Sequence, residues 1–171
     1  DAPLAMLCDS PSAYGREPEC LRFISGVPTV WDETEVLAGE VGDHIVTARR
    51  HGDVWYVGGL AGWDGRTVRV DLSLLPEGTY AVELFRDGEN AARIAQDYVR
   101  EEFLLAPGKS FDVKMFPGGG FAARITDVKF LGIFPTAADI RPQFVKLGRR
   151  NSFRFAETAF PKLFPDFNRQ I

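Results

Sequence analysis

The side chains that could do acid–base chemistry in this chain come in adjacent pairs. Trp31-Asp32-Glu33 and Glu101-Glu102 each set two carboxylates side by side. Cleaving a glycosidic bond takes two carboxyl groups facing each other across that bond. Neighbours on an extended chain point to opposite faces, so neither pair can flank one scissile bond. Both read as solvated or capping pairs, and no catalytic residue is assigned. His44 and His51 fall near a strand start and a turn. With no cysteine or carboxylate at ligand spacing they read as surface histidines, and no metal site is expected. Pro117-Gly118-Gly119-Gly120 has the glycines of a phosphate cradle. It lacks the GxxxxGK[ST] pattern and a following helix, so it reads as a turn. A GxSxG serine elbow is absent.

The aromatic residues offer a different chemistry. Trp31, Trp55, Trp63, Tyr14 and Tyr56 could stack on the C–H faces of sugar rings, or simply pack against neighbouring elements. Trp55 lies inside the apolar run VWYVGGL and belongs on a sheet face. Trp63, in GWDGR, lies at a turn tip. Trp31 and Trp63 are the candidate sugar platform.

The elements that must position these residues are strands. Between residues 43 and 87 the chain reads HIVTARR, VWYVGGL, TVRVDLSLL and TYAVELFRDG, separated by HGD, GWDGR and PEG. Val68, Val70 and Leu72 alternate with Thr67, Arg69 and Asp71, and Tyr80, Val82 and Leu84 alternate with Thr79, Ala81 and Glu83. Period-two alternation marks half-buried strands. Gly, Asp and Pro76 supply the turns. Connections this short make consecutive strands antiparallel. Three more strands are expected at 98–105, 111–115 and 121–125, which makes seven. The expected fold is mainly β: an antiparallel β-sandwich of about seven strands, with an irregular barrel as the alternative. Val68, Val70, Tyr80, Val82, Leu84, Phe111 and Val113 are its expected core.

Residues 28–42 read as an extended connector, and 87–97 as a long polar connection with at most one helical turn. Glu17-Pro18-Glu19 starts a short helix, Leu21, Phe23 and Ile24 form its apolar stripe, and Gly26 and Pro28 end it. That helix is too short to persist in water alone and is expected to dock through its stripe. Apolar content of 45% supports a packed core. No apolar run approaches the roughly 20 residues that span a bilayer. The net charge of −4 is uneven. Lys and Arg outnumber Asp and Glu eight to four in residues 126–171, while the first 125 residues carry −8. An acidic body without a basic face excludes nucleic acid as a partner. Cys8 and Cys20 fit either a disulfide or two buried thiols.

The stretches PLAMLCDSPSAYGREPEC, PTVWDETEVLAGEVGDHIVTARRHGDVWYVGGL, DLSLL, FRDGENAARIAQDY and FPGGGFAARI together resemble the C-terminal part of glycoside hydrolase family 97. These are bacterial α-glucosidases and α-galactosidases, often periplasmic and calcium-dependent. The resemblance covers residues 1 to about 125. It implies that 1–27 is the end of a catalytic (β/α)8 barrel and that 28–125 is a C-terminal β-sandwich buttressing it. Residues 2–9 would be the last barrel strand, and 17–26 the last barrel helix. The chain would then begin within a longer protein, periplasmic or secreted. That family's catalytic carboxylates and calcium ligands map upstream, so the resemblance implies no cofactor in this chain, with calcium bound in the preceding part. Asp9, Ser10 and Tyr14 follow the matched barrel strand. Loops after barrel strands form the active-site face, so these three would line the sugar pocket of the intact enzyme, unless they only shape the loop. The upstream barrel is the implied partner, and an oligosaccharide binds only in the intact enzyme.

Residues 126–171 depart from that pattern. They hold eight of the 14 phenylalanines, with candidate strands at 128–133 and 152–156. A fused segment, a shifted reading frame and a true extension all remain open as their origin.

Overall fold

The computed structural model describes residues 9–106, 108 and 110–129, and the backbone of 145–147. Two helices come first, α1 (Pro11–Tyr14) and α2 (Pro18–Ser25). Nine strands follow: β1 (Glu33–Glu40), β2 (His44–His51), β3 (Val54–Ala61), β4 (Arg66–Asp71), β5 (Tyr80–Asp87), β6 (Tyr98–Leu105), β7 (Ser110–Met115), β8 (Gly120–Asp127) and β9 (Val145–Leu147). Seven strands form one antiparallel sheet in the order β1-β2-β3-β8-β5-β6-β9, and β4 pairs with β7 as a ribbon across one face of it. The architecture is thus a two-layer antiparallel sandwich with unequal layers.

The core lies between the layers. From the large sheet come Val46, Ala48, Trp55, Val57, Tyr80, Val82, Leu84, Phe103, Ala123 and Ile125; the ribbon contributes Val68, Val70, Phe111, Val113 and Met115. Strict alternation explains the ribbon, because Thr67, Arg69, Asp112 and Lys114 on its other face are exposed. All seven expected core residues are buried. The rings of Phe103 and Phe111 meet edge to face at 5.4 Å, tying the layers together.

Three expectations on local structure are corrected. Residues 33–40 are not a connector but the edge strand β1, paired along β2. The strand carries no alternation because solvent reaches both of its faces over its first half. A bulge between Val36 and Ala38 turns Leu37 toward the core. Residues 87–97 form successive turns without a helix. Val128 and Lys129 lie in a turn rather than a strand. The remainder of that candidate strand, residues 152–156 and the matched barrel strand up to residue 8 lie outside the described residues, as does Cys8.

Gly52 turns β2 into β3 with φ of +57°, in the left-handed region that glycine tolerates. The 117–120 turn is built around a carboxylate. Asp87 Oδ2 accepts hydrogen bonds from the Phe116 and Gly120 amides at 2.8 and 3.0 Å. A Cβ on Gly119 would sit 2.0 Å from that oxygen, so glycine is required there. The glycine-rich turn does hold an anion, and the anion is the chain's own aspartate.

Candidate functional site

The outer face of the large sheet, opposite the ribbon, gathers the polar machinery. Period two places Tyr56 of β3, Arg124 of β8, Glu83 and Phe85 of β5, and Arg100 and Glu102 of β6 on this face. Glu83 sits at the centre. Its Oε1 accepts from Arg100 Nε at 2.9 Å and its Oε2 from Arg124 Nη2 at 2.9 Å. Arg22, from α2, reaches Oε1 at 3.5 Å. Arg100 also pairs with Glu102, which lies directly across the ladder from Glu83. Both glutamates are buried, at 7% and 8% exposure. Two like charges this close persist only because the guanidinium groups lie between and beside them. Burial pushes the Glu102 carboxyl above the usual carboxylate range; Arg100 opposes that shift and the Glu83 charge adds to it.

Helix α2 lies over this network. Phe23 packs on Phe85 with ring centroids 5.0 Å apart, and Phe85 continues to Tyr98 at 5.9 Å. The Tyr56 hydroxyl donates to the carbonyl of Gly26, at the helix C-terminus, at 3.1 Å. Burial raises the Tyr56 phenol above its usual range, with Arg124 opposing. The Tyr98 hydroxyl faces Glu17 at 3.5 Å. Burial, then a hydrogen bond with the Cys20 thiol, raises its pKa also. The helix therefore docks as expected through Phe23 and half-buried Leu21, while Ile24 stays 41% exposed. The contact that sequence reasoning missed is Arg22–Glu83, between residues 61 apart in the chain.

Each adjacent acid pair is accounted for. Glu101 and Glu102 point to opposite faces as expected. Glu101 takes a two-pronged ion pair from Arg86 at 2.6 and 3.2 Å on the core side. Asp32 and Glu33 depart from the expectation of opposite faces. Asp32 precedes the strand, so both reach Arg50, at 3.7 and 3.0 Å. Asp32 also accepts from the Gly52 amide at 2.7 Å, so the pair fastens β1 to the β2–β3 turn.

His51 bonds the Val30 carbonyl at 3.0 Å. His44 is not an isolated surface histidine. The β1–β2 turn folds Glu40 and Asp43 beside it, and the three ligand atoms lie within 4.8 Å of one another. Among the described residues this is the set that could hold a metal. Calcium takes six to eight oxygen ligands, which three groups including an imidazole do not supply. Asp43 is moreover ion-paired with Arg66 and bonded to His44 at 3.0 Å. The cluster fits a fastened turn rather than a calcium site.

The sugar-contact candidates fall in separate places. Ser10 caps α1, its Oγ accepting from the Ala13 amide at 3.3 Å, and its amide donates to Asp9 at 2.6 Å. Asp9 and Ser10 are exposed and Tyr14 is half-buried. Trp31 stands edge-on to Tyr56 at 5.4 Å, with the Arg49 guanidinium 5.7 Å from its ring. Trp55 is buried in the core, and Trp63 is 93% exposed at the end of β3. Trp31 neighbours the start of β3 and Trp63 follows its end, roughly 20 Å away at about 3.3 Å per residue. The two indoles do not form one platform.

Comparison with known proteins bears on what this arrangement serves. The family described as glycosyl-hydrolase 97 C-terminal, oligomerisation, matches residues 30–126. A retaining alpha-galactosidase of Bacteroides thetaiotaomicron is 51% identical over 125 residues, covering 73% of this chain and 19% of that enzyme. A probable retaining alpha-galactosidase of Streptomyces bingchenggensis is 34% identical over 117 residues, covering 68% and 17%. Among solved structures, a glycoside hydrolase family 97 enzyme from Pseudoalteromonas sp. strain K8, in complex with acarbose, superposes with a TM-score of 0.66 at 32% identity. That match covers 70% of this chain and 20% of the enzyme. The chain thus spans about a fifth of the length of the relatives it matches. With its sandwich matched from end to end, the chain belongs to the glycosyl-hydrolase 97 C-terminal family, a family of oligomerisation domains found in longer glycoside hydrolases.

Proposed function

We propose that this chain is the C-terminal, non-catalytic part of a longer family 97 enzyme that cleaves α-galactosides in the periplasm or outside the cell, and that its sandwich buttresses the catalytic barrel. The observation that carries this reading is the seat of α2. The residues expected to be the last barrel helix are held on the outer sheet face by Arg22–Glu83, Phe23–Phe85 and the Tyr56–Gly26 hydrogen bond. A buried ionic network supported by aromatic packing sets one docking angle, because its partners fit in one register only. Residues 1–27 would then be barrel, 28–125 sandwich, and Asp9, Ser10 and Tyr14 would face the sugar pocket beyond α1. An α-galactoside is preferred to an α-glucoside because both curated relatives above are named for the former. Calcium, if the enzyme uses it, would bind in the preceding part.

The test compares this chain with the polypeptide that joins it to its upstream barrel. With an aryl α-galactoside, only the joined polypeptide should turn over. In that polypeptide Glu83→Ala should lower the melting temperature of the barrel together with that of the sandwich. Turnover by the 171-residue chain alone, surviving repurification and lost in a point mutant, would overturn the reading. So would a barrel whose melting is indifferent to Glu83.

A further inference from the structure

The outer face is only half covered. Helix α2 lies over Glu83, Phe85 and Tyr56, and beyond the small side chains of Gly58 and Ala122 the face runs on to Val36, Ile45 and Leu60. These three are 65%, 45% and 62% exposed. At the same end, the β3–β4 loop is tied to the β1–β2 turn by the hydrogen bond from the Gly62 amide to the Asp43 carbonyl. That tie sets Trp63, 93% exposed, near Val41, which is fully exposed. Between turn and strands lies an open groove of about 510 Å³, lined by Val36, Gly39, Val41, Ile45 and Leu60 among others. Contiguous exposed apolar side chains of this kind mark interaction sites.

We propose that this bare end of the outer face is where a second copy of the chain docks, the Trp63 indole of each copy entering the groove of the other. Three observations select a second copy. The family is described as an oligomerisation domain. A projecting indole beside an apolar groove is self-complementary, as a two-fold contact between identical surfaces demands. The sheet edge next to the patch is closed to strand pairing. β1 carries Glu33, Glu35 and Glu40 and a bulge, so two such edges would repel and misregister. Copies therefore meet on the face rather than along the edge. The polar groups beside the groove do not oppose this: Asp43 is already neutralised by Arg66 and bonded to His44. Tryptophan is the residue type most enriched among those that dominate binding energy at interfaces.

The assignment goes beyond the buttressing role and uses a part of the face outside the α2 footprint. Sedimentation of the 171-residue chain, with tryptophan emission followed as a function of concentration, tests it. A reversible dimer is expected. Emission should shift to the blue as the dimer forms, since Trp55 is buried already and Trp63 is the indole that changes environment. Trp63→Ser should abolish that shift and weaken the dimer by about tenfold or more, and Leu60→Asp should dissociate it. Both side chains are exposed, so the melting temperature of the dilute monomer reports that neither variant has unfolded. A chain that stays monomeric, or a dimer indifferent to both substitutions, overturns the proposal. A blue-shifted Trp63 in a monomeric joined polypeptide would also overturn it, because the barrel would then be the occupant. An emission shift caused by galactose in a monomeric chain would overturn it equally, by assigning Trp63 to sugar. None of these outcomes touches the hydrolysis assay or the Glu83 melting experiment, on which the buttressing role rests.

Discussion

The two faces of the large sheet are stabilised in opposite ways. The inner face is apolar and dry: Val46, Ala48, Ala123 and Ile125 have no exposure at all, and the β4–β7 ribbon closes over them. Burial there is non-directional and scales with area. The outer face is held by partners. Glu83 faces three arginines drawn from α2, β6 and β8, and a single helix covers that region. Ion pairs at this depth add little net stability over an apolar isostere, yet removing one partner is costly. The inner face makes the domain fold. The outer face decides what docks on it and at which angle.

The comparison can be broken from either side. Ile125→Ala on the inner face should destabilise the domain most, by about 3–5 kcal/mol in urea titration, since the side chain is fully buried and the ribbon cannot collapse onto the gap. Next comes Glu83→Ala, at about 2–3 kcal/mol, because Arg100 loses a close partner in a buried setting while the less buried Arg124 keeps access to water. If that loss equalled the Ile125 loss, the two faces would share one mode of stabilisation. Phe23→Ala should cost the fold only about 1 kcal/mol, because the ring is half-buried. It should still accelerate hydrogen exchange across α2, and unchanged exchange there would mean that the helix is held by Arg22 alone.

The smallest expected effect is a pH dependence. The Glu102 carboxyl titrates higher in the folded state than its ordinary value of 4.5. The folded state therefore binds that proton more tightly than the unfolded state. Its contribution is fully present below pH 4.5 and is lost as pH rises through the raised folded value. Glu102→Gln should accordingly gain stability relative to the parent between acid and neutral pH. A relative loss over that interval would mean that Arg100 outweighs the burial.

Much of the inner face is legible in the residues themselves. Alternation in TVRVDL and TYAVEL determines which side chains point together. Glycine and proline determine where the strands stop. The motifs spanning 28–125 carry enough identity to mark the family. What alternation cannot determine is what lies against a face. β1 escaped the pattern because an edge strand wet on both sides has no apolar side to alternate. Glu101 and Glu102 could be assigned to opposite faces from their adjacency alone. That Glu102 would lie across from Glu83 depends on the β5–β6 register, and the three arginines around Glu83 come from positions 61, 17 and 41 residues away. The carboxylate beside His44 was likewise in plain view at Asp43, but the approach of Glu40 required the turn. Local pattern acts through the backbone and is written in neighbouring residues. Ion pairs and docking surfaces act through space, and only the assembled sheet brings their members within reach.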